Sequence, residues 1–154
     1  MAGTTISIPR LGVQAPIYEG GVLNGVPTIA DGYALTHFYW SARPGQPGNA
    51  VLYGHDDIQG QIFRYLPEMQ VGDRISIDAR AANGATHRYV YRVTGSQVVA
   101  PTDVAVITDQ PRTPILTLIS CTPYWVDTQR IVVRAALVEQ DNRQVASAAS
   151  GPHS

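Results

Sequence analysis

The sequence contains no lysine, because all eleven of its basic residues are arginines. Lysine Schiff bases, lysine general bases and lysine-dependent phosphate loops are therefore excluded. Cysteine is nearly absent as well, since Cys121 is the single one. One thiol forms neither an internal disulfide nor a cysteine-based zinc cage. Cys121 is therefore either a small buried hydrophobic residue or a reactive group.

The sequence also lacks a charge imbalance and a long apolar run. Eleven basic residues against twelve acidic ones give a net charge of −1, whereas a nucleic-acid-binding protein would show a basic excess. No run of about 18 apolar residues occurs, so no membrane span is predicted, and no secretory leader opens the sequence. The 154 residues suit one domain that folds without a metal or a disulfide.

Short apolar segments separated by Gly, Pro, Asn and Asp are abundant. Period-two alternation or short continuous apolar runs predict strands at 6–9, 50–53, 74–78, 87–93, 97–100, 115–119 and 131–138. Asn83-Gly84 predicts a hairpin. Helical spacing predicts a short helix within 62–69 and a second within 31–40. Many short strands and little helix favour an all-β sandwich or a closed barrel.

Three residues with complementary chemistry follow or precede these strands. Cys121 ends an apolar strand and is followed by Thr122-Pro123, and proline terminates strand pairing. His55 follows a strand that Gly54 ends, and Arg130 begins the strand that returns after Cys121. A histidine next to a thiol acts as its ion-pair partner and protonates a leaving amine, and an arginine stabilises an oxyanion. The three together suit acyl transfer through a thioester.

Each of these residues also has an ordinary structural interpretation. A lone cysteine is often a core residue, Arg130 alone suits a surface charge, and the segment His55-Asp56-Asp57 suits a turn or weak metal ligands. No histidine pair at metal-ligand spacing supports a transition-metal site, so no metal or cofactor is expected. His37, His87 and His153 look incidental.

Five motifs follow one another between about Ile6 and Val138, at 8–20, 44–55, 63–73, 116–123 and 129–133. The second ends at His55, the fourth is Leu-Thr-Leu-Ile-Ser-Cys-Thr-Pro around Cys121, and the fifth contains Arg130. In this order and combination they resemble the sortases, the cysteine transpeptidases of the bacterial cell surface. The resemblance implies a closed eight-stranded sortase-type β-barrel with one or two short helices. Residues 1–140 would form the catalytic domain, and the small polar residues 141–154 are expected to be a flexible C-terminal tail.

The same resemblance implies an activity. Cys121 would be the nucleophile, His55 the acid/base, and Arg130 the oxyanion or substrate stabiliser. The family cleaves an LPxTG-like sorting motif between Thr and Gly and passes the acyl group to an amine. The implied partners are sorting-signal peptides of surface proteins and an amine acceptor from peptidoglycan or a pilin. The implied location is the extracytoplasmic face of the bacterial membrane, reached through an anchor that this chain does not contain.

Substrate contacts are predicted near the nucleophile. Ser120, where the family usually has threonine, offers a hydroxyl and a backbone amide. Val104, Val106 and Ile107 are predicted to line an apolar groove for Leu-Pro, or else to be buried supports, and Trp125 either walls the site or is structural. Two other functions remain open: a Cys/His/Arg peptide hydrolase that passes the acyl group to water, and a non-catalytic β-barrel that only binds peptides.

Overall fold

The computed structural model describes residues 3–23, 26–28, 34–54, 62–63, 65–80, 83–100, 111–122 and 129–144. Within these ranges the chain forms nine strands of 3 to 16 residues and two single-turn 3₁₀ helices. The strands are β1 (Thr5–Ile8), β2 (Val13–Leu23), β3 (Val26–Thr28), β4 (Leu35–Phe38), β5 (Gly48–Tyr53), β6 (Arg74–Arg80), β7 (Ala85–Val99), β8 (Pro114–Thr122) and β9 (Gln129–Gln144). The 3₁₀ helices are Pro9–Leu11 and Leu66–Glu68.

Eight of these strands close into a barrel. Their order around the ring is β1-β6-β7-β9-β8-β5-β4-β2, and pairing of β2 with β1 completes the circle. β3 pairs only with the end of β2, so it is an appendage. Most neighbours are antiparallel, but β2 with β4 and β5 with β8 are parallel. The predicted closed eight-stranded all-β barrel is confirmed.

The barrel interior is filled by apolar side chains from alternate positions of each strand. On β6, Ile75 and Ile77 are fully buried, whereas the intervening Ser76 is only partly buried. This alternation follows from the two-residue period of a strand, which sends successive side chains to opposite faces. The main core contains Ile6, Ile8, Ile17, Leu35, Leu52, Phe63, Leu66, Tyr91, Leu116, Leu118 and Val133.

Tyr91 connects this core to the turn that precedes β5. Its hydroxyl accepts a hydrogen bond of 2.8 Å from the backbone amide of Gly45, and burial raises the pKa of Tyr91 to about 12. Gly45 has a φ of +85°, and a Cβ at this position would overlap the ring of Tyr89. Glycine is therefore required at the turn, both for its backbone conformation and for its size.

The two predicted helices differ from the structure. The helix predicted within 62–69 is one 3₁₀ turn, Leu66–Glu68, and the spacing that suggested it reflects burial of Ile62, Leu66 and Met69 against the core. The helix predicted within 31–40 is wrong, because residues 35–38 form strand β4. Strand β4 is buried along most of its length, with Leu35, Thr36 and His37 all covered. A strand covered on both faces shows no alternation from which its period could be recognised.

Two strand boundaries also differ from the prediction. The segments predicted at 87–93 and 97–100 belong to the single strand β7, which continues through irregularities at Val90/Tyr91 and Val93/Gly95. Strand β9 extends to Gln144, and its last residues, 141–144, pair with the start of β7. The tail predicted to begin at 141 is therefore wrong for residues 141–144, which pairing with Ala85–Arg88 holds in the sheet. Residues 145–154 lie outside the described residues.

Candidate active site

The nucleophile candidate lies near the end of β8, directly opposite the predicted arginine. Cys121 is the penultimate residue of β8, and the antiparallel register pairs it with Arg130, the second residue of β9. Directly opposed residues of an antiparallel pair have Cβ atoms about 4.5–5.5 Å apart and lie on the same side of the sheet. The register therefore makes Cys121 and Arg130 immediate neighbours.

A second apolar cluster lies on the outer face of the barrel beside this pair. Along β8, Leu116 and Leu118 belong to the interior core, whereas Ile119 belongs to the second cluster on the opposite face. Cys121 follows Ile119 by two residues on the same strand. Arg130 is half-buried, and on β9 it shares its face with Val132. Arg130 therefore lies at the edge of the second cluster, with Cys121 opposite it in the register.

That second cluster forms an apolar floor beside the pair. Its buried members are Val51, Ile119 and Val132, and Phe38, Tyr53 and Val99 pack against them. These residues come from β4, β5, β7, β8 and β9, so the floor spans five neighbouring strands. Val99 lies opposite Arg130 in the register. Because Val51, Ile119 and Val132 are buried, the apolar surface that a peptide could contact here comes from the partly buried Phe38, Tyr53 and Val99.

His55 lies outside the described residues, and the structure describes the chain up to the residue before it. Strand β5 runs parallel to β8, with Tyr53 opposite Ile119. The amide of Gly54 donates a 3.1 Å hydrogen bond to the carbonyl oxygen of Ile119. A Cβ at Gly54 would come within 2.6 Å of both Leu35 and Phe63. A glycine is therefore needed for the chain to pass this close to the core immediately before His55.

Ser120 is the described member of the predicted substrate-contacting residues. Its side chain is fully buried, and alternation directs it to the interior, away from the face of Cys121. Among the described residues, its Oγ has no hydrogen-bond partner. The hydroxyl is therefore enclosed in the barrel, and of the two groups that Ser120 offers, only its backbone amide stays a predicted substrate contact. The predicted contacts Val104, Val106, Ile107 and Trp125 lie outside the described residues.

A buried histidine network was missed by the sequence analysis. His37 is 1% exposed, its Nδ1 lies 3.0 Å from a carboxylate oxygen of Glu19, and its Nε2 donates to the carbonyl oxygen of Ala42 at 2.8 Å. The hydroxyl of Ser41 lies 3.1 Å from the same nitrogen. His37 stays incidental to the predicted chemistry, but it has a structural role that the sequence analysis did not assign. Ser41 and Ala42 follow His37 within five residues, but Glu19 is distant in sequence and meets His37 because β2 and β4 pair in parallel, so no local pattern shows the ion pair.

This network resembles a Ser-His-acid triad in composition, but its hydrogen bonds are structural. The Ser41 hydroxyl donates to the carbonyl oxygen of Phe38 at 2.7 Å and accepts from the amide of Val51 at 3.1 Å. Its single proton is therefore already directed to a backbone oxygen, and Nε2 of His37 is directed to another. The network therefore connects β4 and the turn after it to β5. A nucleophile needs a base that is free to take its proton, and His37 is not in that position toward Ser41, so the network is structural.

Within the described ranges, no group of three or more His, Cys, Asp or Glu side chains is arranged to hold a metal ion. None of the helices there has the length and apolar character that crossing a bilayer requires.

The fold and the site define a class of protein: a closed mixed β-barrel that carries a cysteine and an arginine as cross-strand neighbours on its outer rim. Comparison with protein families gives the same result independently, because the model of the sortase domain matches residues 6–138. The chain belongs to the sortase family, whose members are cysteine transpeptidases of the bacterial cell surface.

Individual relatives agree with this assignment. The chain is 27% identical over 150 residues to sortase SrtE1 of Streptomyces coelicolor, which covers 90% of this chain and 41% of that protein. It is also 27% identical over 125 residues to sortase D of Bacillus subtilis, covering 80% of this chain and 56% of that protein. The chain thus spans about half the length of the curated relatives that it matches.

Solved structures show the same fold. A sortase D5 transpeptidase from Clostridium perfringens superimposes with a TM-score of 0.71 at 28% identity, over 88% of this chain and 78% of the other. A lid mutant of sortase A from Corynebacterium diphtheriae gives a TM-score of 0.72 at 32% identity, over 88% of this chain and 69% of the other.

Proposed function

We propose that this chain is the catalytic domain of a cysteine transpeptidase that cleaves an LPxTG-like sorting motif and transfers the acyl group to an amine. The observation that carries the proposal is the pairing of Cys121 with Arg130 across β8 and β9. This pairing supports a role for the Arg130 guanidinium in stabilising the oxyanion that forms when the sulfur attacks the carbonyl carbon. The partly buried Phe38, Tyr53 and Val99, which pack on Ile119 and Val132, offer an apolar surface that suits the Leu-Pro part of such a motif.

In the proposed reaction, the Cys121 thiolate attacks the carbonyl carbon of the motif threonine, and Arg130 stabilises the oxyanion that forms. His55 donates its proton to the leaving glycine nitrogen as the C–N bond breaks, which leaves a thioester. An incoming amine attacks the thioester and gives up a proton to His55, and collapse of that intermediate releases the amide product and regenerates the Cys121 thiolate beside the protonated His55. The sequence position of His55, directly after Gly54, supports its role because Gly54 is bonded to Ile119 two residues before Cys121.

We also propose the acyl donor, the amine acceptor and the cellular location of this reaction. The acyl donor is a surface-protein sorting signal, and the acceptor is an amine of peptidoglycan or of a pilin subunit. The full-length protein would act at the extracytoplasmic face of the membrane, held by an anchor outside this chain. The support is family membership together with the greater length of the curated relatives.

The test is a screen of peptides that carry LPxTG-like motifs, with mass detection of the acyl-enzyme. We expect one acyl adduct on Cys121, none on Cys121→Ala, and ligated product once a glycine-based or diamino-acid amine is added. Removing the oxyanion donor in Arg130→Gln should lower kcat by about 10²–10³-fold. Arg80→Gln, at the exposed end of β6, is the matched arginine control and should keep full activity.

Two results would contradict the proposal. Release of acid with no ligated product at any amine concentration would indicate a hydrolase instead. Absence of an adduct, combined with a thiol that reacts with an alkylating agent no faster than free cysteine, would indicate a non-catalytic peptide-binding barrel.

A further inference from the structure

Three aromatic side chains form a row on the outer face of the barrel, beginning beside the proposed active site. The rings of Tyr53 and Phe38 stack with their centroids 6.4 Å apart, and the ring of Trp40 lies 5.5 Å from that of Phe38. Tyr53 is the β5 partner of Ile119, two residues before Cys121. Because β4 runs antiparallel to β5, Phe38 and then Trp40 lie progressively further from the end of β5 that leads to the proposed active site. We call Tyr53-Phe38-Trp40 the aromatic row.

The aromatic row is open to solvent. Trp40 is 42% exposed, and Phe38 and Tyr53 are half-buried. The β2 residue opposite Phe38 is Gly20, which has no side chain that could cover the phenyl ring from that strand. Tyr18, two residues earlier on β2, is also exposed. Contiguous exposed aromatic surface of this kind marks a place where a ligand binds.

Hydrogen bonds fix the turn that carries Trp40. The carbonyl oxygen of Phe38 accepts a hydrogen bond of 2.8 Å from the amide of Ser41 and one of 2.7 Å from its hydroxyl. The same hydroxyl lies 3.1 Å from Nε2 of the buried His37. The histidine network therefore holds the backbone beneath the aromatic row in one conformation. A surface that is ordered before its ligand arrives loses less entropy on binding.

The spacing of the rings suits a proline-rich segment. Two residues of a polyproline II helix advance about 6 Å, which is close to both ring separations in the row. Aromatic-lined surfaces are a recurring means of binding such segments, and indole and phenol groups add donors for the carbonyl oxygens that this helix leaves without internal partners. A glycan also stacks on aromatic rings, but its hydroxyls need hydrogen-bond partners when water is removed. The neighbouring Thr36 and Val51 are fully buried and present no such group at the surface.

The length of the aromatic row sets which part of a peptide reaches Trp40. The Cα atoms of Tyr53 and Cys121 are about 8 Å apart, from the spacing of neighbouring strands and the rise of two residues. With the two ring separations added, the path from Cys121 to Trp40 is at most about 20 Å, which an extended chain covers in about six residues. The Leu-Pro part of the motif precedes the attacked carbonyl and is proposed to lie on Tyr53 and Phe38. Trp40 is therefore within reach of the three residues before the leucine.

We infer that the aromatic row binds a proline-rich segment of the sorting peptide directly before its leucine, with Trp40 as the outermost contact. The inference rests on the proposed transpeptidase function. It adds a specificity determinant outside the motif itself.

The experiment compares three peptides that share one LPxTG-like motif and differ only in the three residues before leucine, which are Pro-Pro-Pro, Ala-Ala-Ala or Gly-Ser-Gly. We expect kcat/KM of the proline peptide to exceed that of the other two by about threefold to tenfold, the size of one or two aromatic contacts. The difference should lie in KM, because a contact remote from the reacting atoms is the same in the ground state and the transition state.

Variants of the enzyme assign the preference to the aromatic row. Trp40→Ala should bring the ratio of kcat/KM for the proline and alanine peptides close to one, and Trp40→Phe, which keeps a ring, should retain most of the preference. Tyr39→Ala is the matched control: Tyr39 is an exposed aromatic residue of the same turn, 52% exposed, and lies outside the row, so its loss should preserve the ratio. Each ratio compares two peptides on one enzyme and is therefore unaffected by a partly unfolded variant.

The glycan alternative is tested on the acceptor side. The acceptors are a disaccharide-peptide fragment of peptidoglycan and the same peptide without its sugar. If Trp40→Ala weakens use of the sugar-bearing acceptor and leaves the proline preference of the donor intact, the row serves a glycan and the inference is overturned.

Two further outcomes overturn the inference and are distinguishable. If the three peptides acylate Cys121 equally well, or if Trp40→Ala keeps the proline preference, the row has no such role while the transpeptidase proposal stands. If no peptide acylates Cys121 at all, the proposed function fails and the inference fails with it.

Discussion

Replacing Thr117 by valine should loosen the link between the two strands that lead to the reactive residues. The hydroxyl of Thr117 donates a hydrogen bond of 2.6 Å to Oδ1 of Asn49, and both side chains are fully buried. Thr117 precedes Cys121 by four residues on β8, and Asn49 precedes His55 by six residues at the start of β5. The bond therefore connects β5 and β8 through two buried side chains.

The expected cost follows from what valine leaves behind. Valine has nearly the shape of threonine, so packing is kept, but the Asn49 oxygen loses this donor in a place that water does not reach. Leaving a buried polar group short of a partner costs about 1–3 kcal/mol. For a domain of this size, that corresponds to a fall in melting temperature of roughly 3–10 °C.

The assay is urea denaturation of the parent and of four variants: Thr117→Val, Thr86→Val, Asn49→Ala and the Thr117→Val/Asn49→Ala double variant. Thr86→Val, a half-exposed position on the outer face of β7, measures the ordinary cost of the same replacement, which should stay within about 0.5 kcal/mol. A double-mutant cycle with Asn49→Ala isolates the pair, and we expect a coupling of about 1 kcal/mol. If Thr117→Val costs no more than Thr86→Val, or if the coupling is zero, the bond does not hold the two strands together.

Three further substitutions test other contacts. Gly45→Ala should cost about 2–4 kcal/mol in urea denaturation, because its φ of +85° and its contact with the Tyr89 ring both disfavour a Cβ; a cost below about 1 kcal/mol would refute this. Burial raises the pKa of Tyr91 to about 12, above its unfolded value of about 10. The contribution of the neutral phenol to the free energy of unfolding is therefore complete below about pH 10 and is lost between about pH 10 and 12. Tyr91→Phe should make the free energy of unfolding less dependent on pH in that range, and an unchanged decline would contradict the assignment. The hydrogen bond from Arg10 lowers the pKa of the Asp73 carboxyl. The contribution of the ionised carboxylate to the free energy of unfolding is therefore present above about pH 4 and is lost as pH falls further. Asp73→Asn should make the free energy of unfolding less dependent on pH below about 4, and an identical dependence in parent and variant would count against the ion pair.

What the sequence predicted best was the part of the site that depends on neighbours along the chain. Cys121 and Arg130 lie nine residues apart, and two apolar strands joined by a short connection almost always pair antiparallel. That rule is enough to bring the arginine back to the end of the barrel where the cysteine lies. The observed register, Cys121 opposite Arg130, is consistent with that short antiparallel connection.

The contacts that escaped prediction depend on pairing between distant segments. Glu19 meets His37 because β2 and β4 run in parallel, and a parallel pair needs a long connection whose register no short motif reveals. The pairing of Arg134 likewise depends on Gly95, thirty-nine positions earlier. The predicted strands ended at residue 93 and resumed at 97, whereas in the sheet β7 continues through Gly95, opposite Arg134.

The placement of β9 has a consequence for how the protein is made. This strand is inserted between β7 and β8, so the ring stays open until residues 129–144 have left the ribosome. A partial chain that stops after Cys121 contains the cysteine but lacks Arg130 and strand β9, which closes the barrel. On the proposed mechanism, Cys121 therefore has no arginine to stabilise its oxyanion until β9 has paired with β8 and closed the barrel.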